Sequence, residues 1–282
     1  MKTKILLFIC LLAAWCVNQF PAQATGGLGA VQAWHCAPCG GACDADTYAA
    51  AGTCAHCGMA LVQSAANSAG SERAPALIPG RRNVAILVYK NMEILDFAGP
   101  GEVFSVAGFN VYTVAVAPEP ISSQGFVVIT PNYTLANCPP PDIVVVPGGD
   151  TEPILADAAL VKWVQTQAAH AEVLLSVCTG AGLLGKAGLL DGKQATTYHD
   201  YLDALQRANP KAKVLRGTRY VDNGQVITTA GISAGIDGSL HVVANLLGEE
   251  AARQVARTME YDKWQPNQGL VVKAPTATAA PR

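Results

Sequence analysis

The chain has 282 residues, half of them hydrophobic and 14% charged, and 19 Lys and Arg against 21 Asp and Glu leave a net charge of −2. This excludes a disordered chain, which is charge-rich and apolar-poor, and a nucleic-acid module, which needs a basic excess to neutralise phosphates. The apolar surplus suits an α/β protein whose sheet is covered on both faces.

In chain order, Lys2 and Lys4 precede an apolar run from Ile5 to Val17, and the small-x-small triplet Ala22-Gln23-Ala24 follows. This is the layout of a secretory signal over residues 1–24. The run is shorter than the roughly 20 residues a membrane span needs. The mature chain is expected in the periplasm or outside the cell, with no stable membrane span after cleavage. An uncleaved anchor is the alternative.

Residues 34–62 hold five of the nine cysteines. Cys36-Ala-Pro-Cys39 and Cys54-Ala-His-Cys57 are two C-x-x-C pairs. Two thiolates one tight turn apart converge on a point, so two such knuckles close a four-sulfur metal site. Zinc is the default occupant, with copper or another thiophilic ion as the alternative. Two disulfides with Cys43 left over is the competing reading. The segment Gly52-Thr-Cys-Ala-His-Cys-Gly-Met-Ala-Leu61 resembles the signature of the heavy-metal-binding domain of exported metal-resistance proteins, with Ala55 in place of the usual proline.

Residues 63–81 are small and polar, a linker by composition. From residue 82 to 264, apolar runs at Val84–Tyr89, Val111–Val116, Ile143–Val146 and Val173–Val177 are short and bounded by turn residues, as buried parallel strands are. Helical patterns at Pro100–Ala107, Ala158–Ala169 and Thr179–Ala187 lie between them, which implies a doubly wound sheet. Asp222-Asn223-Gly224 predicts a hairpin between Arg219–Val221 and Val226–Thr229. Ser233 is placed to cap a helix that stops at Gly248, and a last helix runs from Glu249 to Met259. Residues 265–282, rich in Ala, Pro and Thr, are expected to be a disordered tail.

Three segments carry chemistry. Cys178 follows the Val173–Val177 run, and Gly180 and Ala181 supply the small residues that a strand-to-helix elbow needs. The helix N-terminus there is expected to favour thiolate; a buried core thiol is the other reading. Pro147-Gly148-Gly149 ends a strand, where backbone N–H groups can face developing charge. Asp96 stands between Leu95 and Phe97, where desolvation can keep it protonated for proton transfer; a helix cap near Pro100 is the alternative.

Leu95-Asp-Phe-Ala-Gly-Pro, Cys138-Pro-Pro-Pro-Asp-Ile-Val-Val-Val-Pro-Gly-Gly, Ser176-Val-Cys-Thr-Gly and Thr229-Ala-Gly-Ile-Ser-Ala-Gly-Ile-Asp together make residues 82–264 resemble the ThiJ/PfpI superfamily. Its fold is flavodoxin-like and class I glutamine-amidotransferase-like, and the likeness points to its isonitrile hydratase branch. The resemblance implies that Cys178 attacks a small electrophile, the terminal carbon of an isonitrile. Asp96 would move the proton, and N–H groups of Gly149 and Thr179 would steady the charge. It implies a homodimer and no cofactor at this site. Thr179 stands where superfamily peptidases look to need histidine, which weakens a protease reading. His199 lies near a position where relatives carry histidine. Two other functions compete: a metal-binding or redox-stress sensor with a non-catalytic domain, and a deglycase or glyoxalase, whose relatives show a glutamate where Asp96 stands. The branch's regulators resemble one another in having a DNA-binding half after the sensor, and no such half is expected in the 18 residues after Trp264.

Overall fold

The structure, a computed structural model, describes residues 34–36, 43, 47–63 and 74–273. The leader 1–24 and Cys39 lie outside the described residues, and only the backbone of Cys36 is described. The chain divides into two compact units, one ending at Ser68 and the other beginning at Ala69.

In the first unit, β1 (Trp34–Cys36) pairs antiparallel with both β2 (Thr47–Tyr48) and β3 (Leu61–Gln63). Its core is Cys43, Cys54 and Leu61, with Trp34 and Tyr48 packed against them. So small a core cannot offset the entropy of ordering the chain by burial alone, and units of this size usually depend on a metal or a cross-link.

The second unit begins with β4 (Asn83–Leu87), α1 (Ile94–Val106), β5 (Asn110–Ala115), β6 (Ile121–Ser123), β7 (Val127–Ile129), β8 (Tyr133–Thr134) and β9 (Ile143–Val146). It continues through α2 (Glu152–Ala156), α3 (Ala158–Ala168), β10 (Val173–Ser176), α4 (Ala181–Lys186), β11 (Gln194–Ala195), α5 (Leu202–Ala208) and β12 (Lys213–Val214). It ends with β13 (Tyr220–Asp222), β14 (Val226–Thr229), α6 (Ala234–Leu247), α7 (Glu249–Thr258) and β15 (Leu270–Val271). The main sheet has eight strands in the order β15-β13-β14-β10-β9-β4-β5-β8. Its pairs are parallel except β13 against β14.

β9 is apolar throughout, and β4 and β10 are apolar but for Asn83 and Ser176 at their ends, because both faces are covered. Side chains alternate across the sheet: Ala85, Leu87, Val144, Val146 and Leu174 meet Trp163, Leu183 and Leu184 on one face. Val84, Ile86, Ile143, Val145 and Leu175 meet Phe104, Leu240 and Val243 on the other. The flavodoxin-like α/β reading holds, and so do the four central strands and the hairpin.

Several elements differ from expectation. α1 starts at Ile94, so Asp96 sits in its first turn rather than in a loop, and Pro100 lies inside the helix. A proline usually marks a helix start; here it only leaves the Asp96 carbonyl without its N–H partner. Ser233 occupies the N-cap of α6 but makes no capping bond; its Oγ accepts from Arg219 Nη2 at 3.0 Å. The expected tail is ordered as far as residue 273: β15 pairs parallel with β13. Tyr220 explains why, since its ring lies against Gly269, where a Cβ would come within 2.2 Å, and its hydroxyl donates to Pro266 O at 2.8 Å. No described helix is long and apolar enough to cross a membrane.

Candidate active site and candidate metal centre

The carboxyl ends of β4, β9 and β10 meet where the chain's crossovers diverge to the two sides of β4, the place at which open α/β sheets bind ligands. Val177 is extended, and the chain then turns abruptly: Cys178 has φ 56°, opens a 3-10 turn Cys178–Gly180, and α4 follows. A non-glycine residue at positive φ costs about 1–2 kcal/mol. It is held there by Cys178 N–H to Ala230 O at 3.2 Å and Thr197 Oγ1 to Cys178 O at 2.5 Å. Gly180 is required by close approach, since a Cβ would lie 2.1 Å from Val146 O. Gly148 likewise has no room, with Thr179 N 2.6 Å and Cys178 Cβ 2.8 Å from where its Cβ would be.

These contacts bring Asp96, Cys178, Gly148, Gly149 and Thr179 together. Asp96 is fully buried. Its Oδ2 accepts from Gly148 N–H at 2.9 Å, and its Oδ1 has no hydrogen-bond partner of normal geometry among the described residues. Burial raises this carboxyl to about 7; Glu93 adds to the rise, while the Gly148 amide and the Cys178 thiol oppose it. Cys178 is 6% exposed, and burial, followed by the Asp96 charge, pushes its thiol up to about 12. The backbone N–H groups of Thr179 and Ile232 hydrogen-bond the sulfur and pull the other way.

Two expectations are therefore corrected. The sulfur is not a resting thiolate: desolvation and a neighbouring carboxylate outweigh the short helix that follows it. The Gly149 N–H does not face an open site, because Thr179 Oγ1 accepts it at 2.9 Å and donates back to Gly149 O at 3.0 Å. The second amide on the sulfur belongs to Ile232, a β-branched residue at φ 56°. Ile232, Thr197 and Tyr89, whose hydroxyl donates to Pro147 O at 2.9 Å, were missed in the sequence. Nothing local marks Ile232 or Thr197, which come from β-strand ends distant in sequence. Thiol and carboxyl act on each other's affinity for a proton, and moving a proton from sulfur to an ionised Asp96 would leave the net buried charge unchanged.

Beside this pair lies a cleft of about 780 Å³. Thr197 and Ile232, both hydrogen-bonded to Cys178, line it together with His199, Arg219 and Lys263. Cys178 itself is not in the wall. His199 is exposed and pairs with Asp200 at 2.7 Å. His241 is buried against Asp222 at 2.7 Å, with Asn245 Nδ2 also on that carboxylate at 3.1 Å.

In the first unit the sulfurs of Cys43, Cys54 and Cys57 lie within 4.8 Å of one another. Tyr48 Oη is 3.4 Å from Cys54 Sγ, and this hydrogen bond, with backbone N–H groups of Cys57 and His56, lowers the Cys54 thiol to about 6. Three soft donors, one of them ionised at neutral pH, fit a thiophilic ion. Of the four expected ligands Cys36, Cys39, Cys54 and Cys57, the described cluster contains Cys54 and Cys57. Cys43 joins them, packed inside the small core beside Cys54, and the side chains of Cys36 and Cys39 lie outside the described residues.

The chain is similar to the isonitrile hydratase of Pseudomonas putida, 35% identical over 200 residues that cover 69% of this chain and 85% of that protein. It is also similar to the transcriptional regulator GbdR of Pseudomonas aeruginosa, 26% identical over 67% of this chain and 54% of the regulator. Among solved structures, a ThiJ/PfpI family protein from Pseudomonas syringae superposes with a TM-score of 0.61 at 32% identity, over 71% of this chain and 86% of that one. The DJ-1/PfpI family profile matches residues 82–245, which are more than half of the sequence and include Asp96, Gly149 and Cys178. The chain belongs to the DJ-1/PfpI family.

Proposed function

We propose that residues 82–264 form a cysteine-dependent hydratase that adds water to isonitriles. The observation that carries this reading is the meeting of a buried thiol with a carboxyl of neutral-range affinity, under two backbone donors. Likeness to an isonitrile hydratase supports the substrate class.

In this mechanism the Cys178 proton passes to Asp96 as the sulfur bonds the terminal carbon of R–N≡C. The Thr179 and Ile232 amides steady the charge on sulfur before the bond is complete. Asp96 returns the proton to that carbon, giving the thioimidate R–N=CH–S. Asp96 then takes a proton from water as the hydroxyl adds to the carbon and passes it to the nitrogen, giving R–NH–CH(OH)–S with the carboxylate restored. Breakage of the C–S bond, with the hydroxyl proton returning to sulfur through Asp96, releases R–NH–CHO and restores the thiol. Covalent capture thus replaces one difficult addition with two easier ones. The test is infrared loss of the isonitrile stretch with formamide appearing in step. Native protein should show both and Cys178→Ala neither; an equally active Cys178→Ala sinks the proposal.

A second reading, ligand sensing without turnover, is favoured by the domain's likeness to GbdR. Tight binding of a small molecule to native protein with no product would select it. We also propose that the Cys43, Cys54 and Cys57 cluster holds a soft metal ion, with zinc the expected occupant, that the signal-like leader directs export, and that the domain forms a homodimer. Metal analysis, amino-terminal sequencing of the exported protein and sedimentation test these in turn.

A further inference from the structure

The cleft beside Cys178 is lined by two cations, Arg219 and Lys263. Two of its lining residues, Thr197 and Ile232, hydrogen-bond Cys178, and the acidic side chains Asp96 and Glu93 act on its sulfur. The acid lining the cleft, Asp237, is buried and already engaged: Arg219 Nε donates to one oxygen and Tyr261 Oη to the other, at 3.0 Å for the latter. Arg219 is fixed further by Ser233 Oγ at 3.0 Å. Lys263 is exposed and has no acid partner among the described residues.

The wall that carries Lys263 is built rather than loose. Trp264 beside it is 6% exposed, with the Arg253 guanidinium 5.7 Å above its ring. The following residues are fastened by Tyr220 to Pro266 and Gly269, and by Val272 N–H to Asp222 O at 2.8 Å. Gln268 of the same strap adds an amide to the cleft. A volume of about 780 Å³ is large enough to seat a small molecule.

We propose that this cleft seats the substrate's tail and selects electrophiles bearing a carboxylate, held by Lys263 with Arg219 while the reactive carbon reaches Cys178. The proposal rests on reading Cys178 as a nucleophile. The charges fix orientation as well as affinity, because an anionic group is repelled by Asp96 and Glu93 beside the sulfur and attracted by Lys263 and Arg219.

The test uses two thiol-reactive probes of equal length, maleimidohexanoate and its neutral methyl ester, on the full chain, with adduct at Cys178 followed by peptide mass spectrometry. Native protein should react at least about fivefold faster with the acid than with the ester, the effect of one favourable ion pair. That ratio should fall towards one in Lys263→Met and below one in Lys263→Glu, both exposed-site changes. Added salt should compress it. Equal rates in native protein, or a ratio unmoved in both variants, overturn the proposal and leave the nucleophile in place. Failure of both probes to label Cys178 removes the nucleophile itself, and this proposal with it.

Discussion

Asp96→Asn separates what the carboxyl does for chemistry from what it costs the fold. The carboxyl is raised from 3.8 to about 7, chiefly by burial. Between those values the folded state holds a proton that the unfolded state has lost. Stability therefore falls as pH rises from about 4 to 7 and levels off above. The difference is roughly 3 units, or about 4 kcal/mol at pH 8. Asparagine keeps an oxygen for Gly148 N–H at nearly the same volume and carries no charge, so it escapes that cost. Its amide hydrogens lack a partner, which takes back about 1–3 kcal/mol. A net gain of about 2 kcal/mol at pH 8 raises the melting temperature by roughly 4–8 °C for a unit of this size. At pH 4 the gain should vanish. Turnover should fall about 10²–10⁴-fold, the usual worth of a positioned base. Melting curves at both pH values, beside isonitrile turnover, check this. An Asp96→Asn protein that is less stable than native at pH 8, or that retains half its turnover, refutes the reasoning.

The other outcomes follow from close contacts and buried partners. Gly180→Ala should destabilise the domain by roughly 2–4 kcal/mol, because its Cβ meets Val146 O at 2.1 Å, and a denaturant titration reads it. Asp222→Ala should cost about 3–5 kcal/mol in the same assay by stranding the buried His241. Burial works to raise Asp222, but hydrogen bonds from His241, Gly224 and Asn245 overcome it and hold it low. The stability from this carboxylate is therefore present above its unfolded value near 4 and lost in more acid solution, which acid titration of native protein against Asp222→Asn should show. Cys43→Ser should lower the content of bound thiophilic ion well below that of native protein; an unchanged ion count removes Cys43 from the site.

The central sheet was legible because β4, β5, β9 and β10 are apolar runs bounded by turns, and the two-face burial of Val84 to Leu87 follows from that pattern alone. Cys178, Gly180 and the paired glycines were legible for a related reason: small residues at a strand end mark a backbone that must approach another closely. The start of α1 was misread because Pro100 imitates a helix start. Charge state was the least legible property. Helix position argued for thiolate at Cys178, whereas burial and Asp96, set by tertiary packing, decide for thiol. β15 was invisible because two residues carry no periodicity, and Tyr220, far off in sequence, holds it. The same applies to Ile232, which reaches its site only through packing.

The central claim is that the Cys178 sulfur bonds to substrate carbon. The most direct measurement is rapid acid quenching of native protein with an isonitrile at pH 7–8, followed by intact and peptide mass spectrometry. The account predicts a transient gain equal to the mass of the isonitrile, confined to the peptide containing Cys178. In Asp96→Asn the gain should build more slowly, and in native protein it should decay as formamide accumulates. Formamide appearing at the native rate with no mass gain on Cys178 at any time would contradict it.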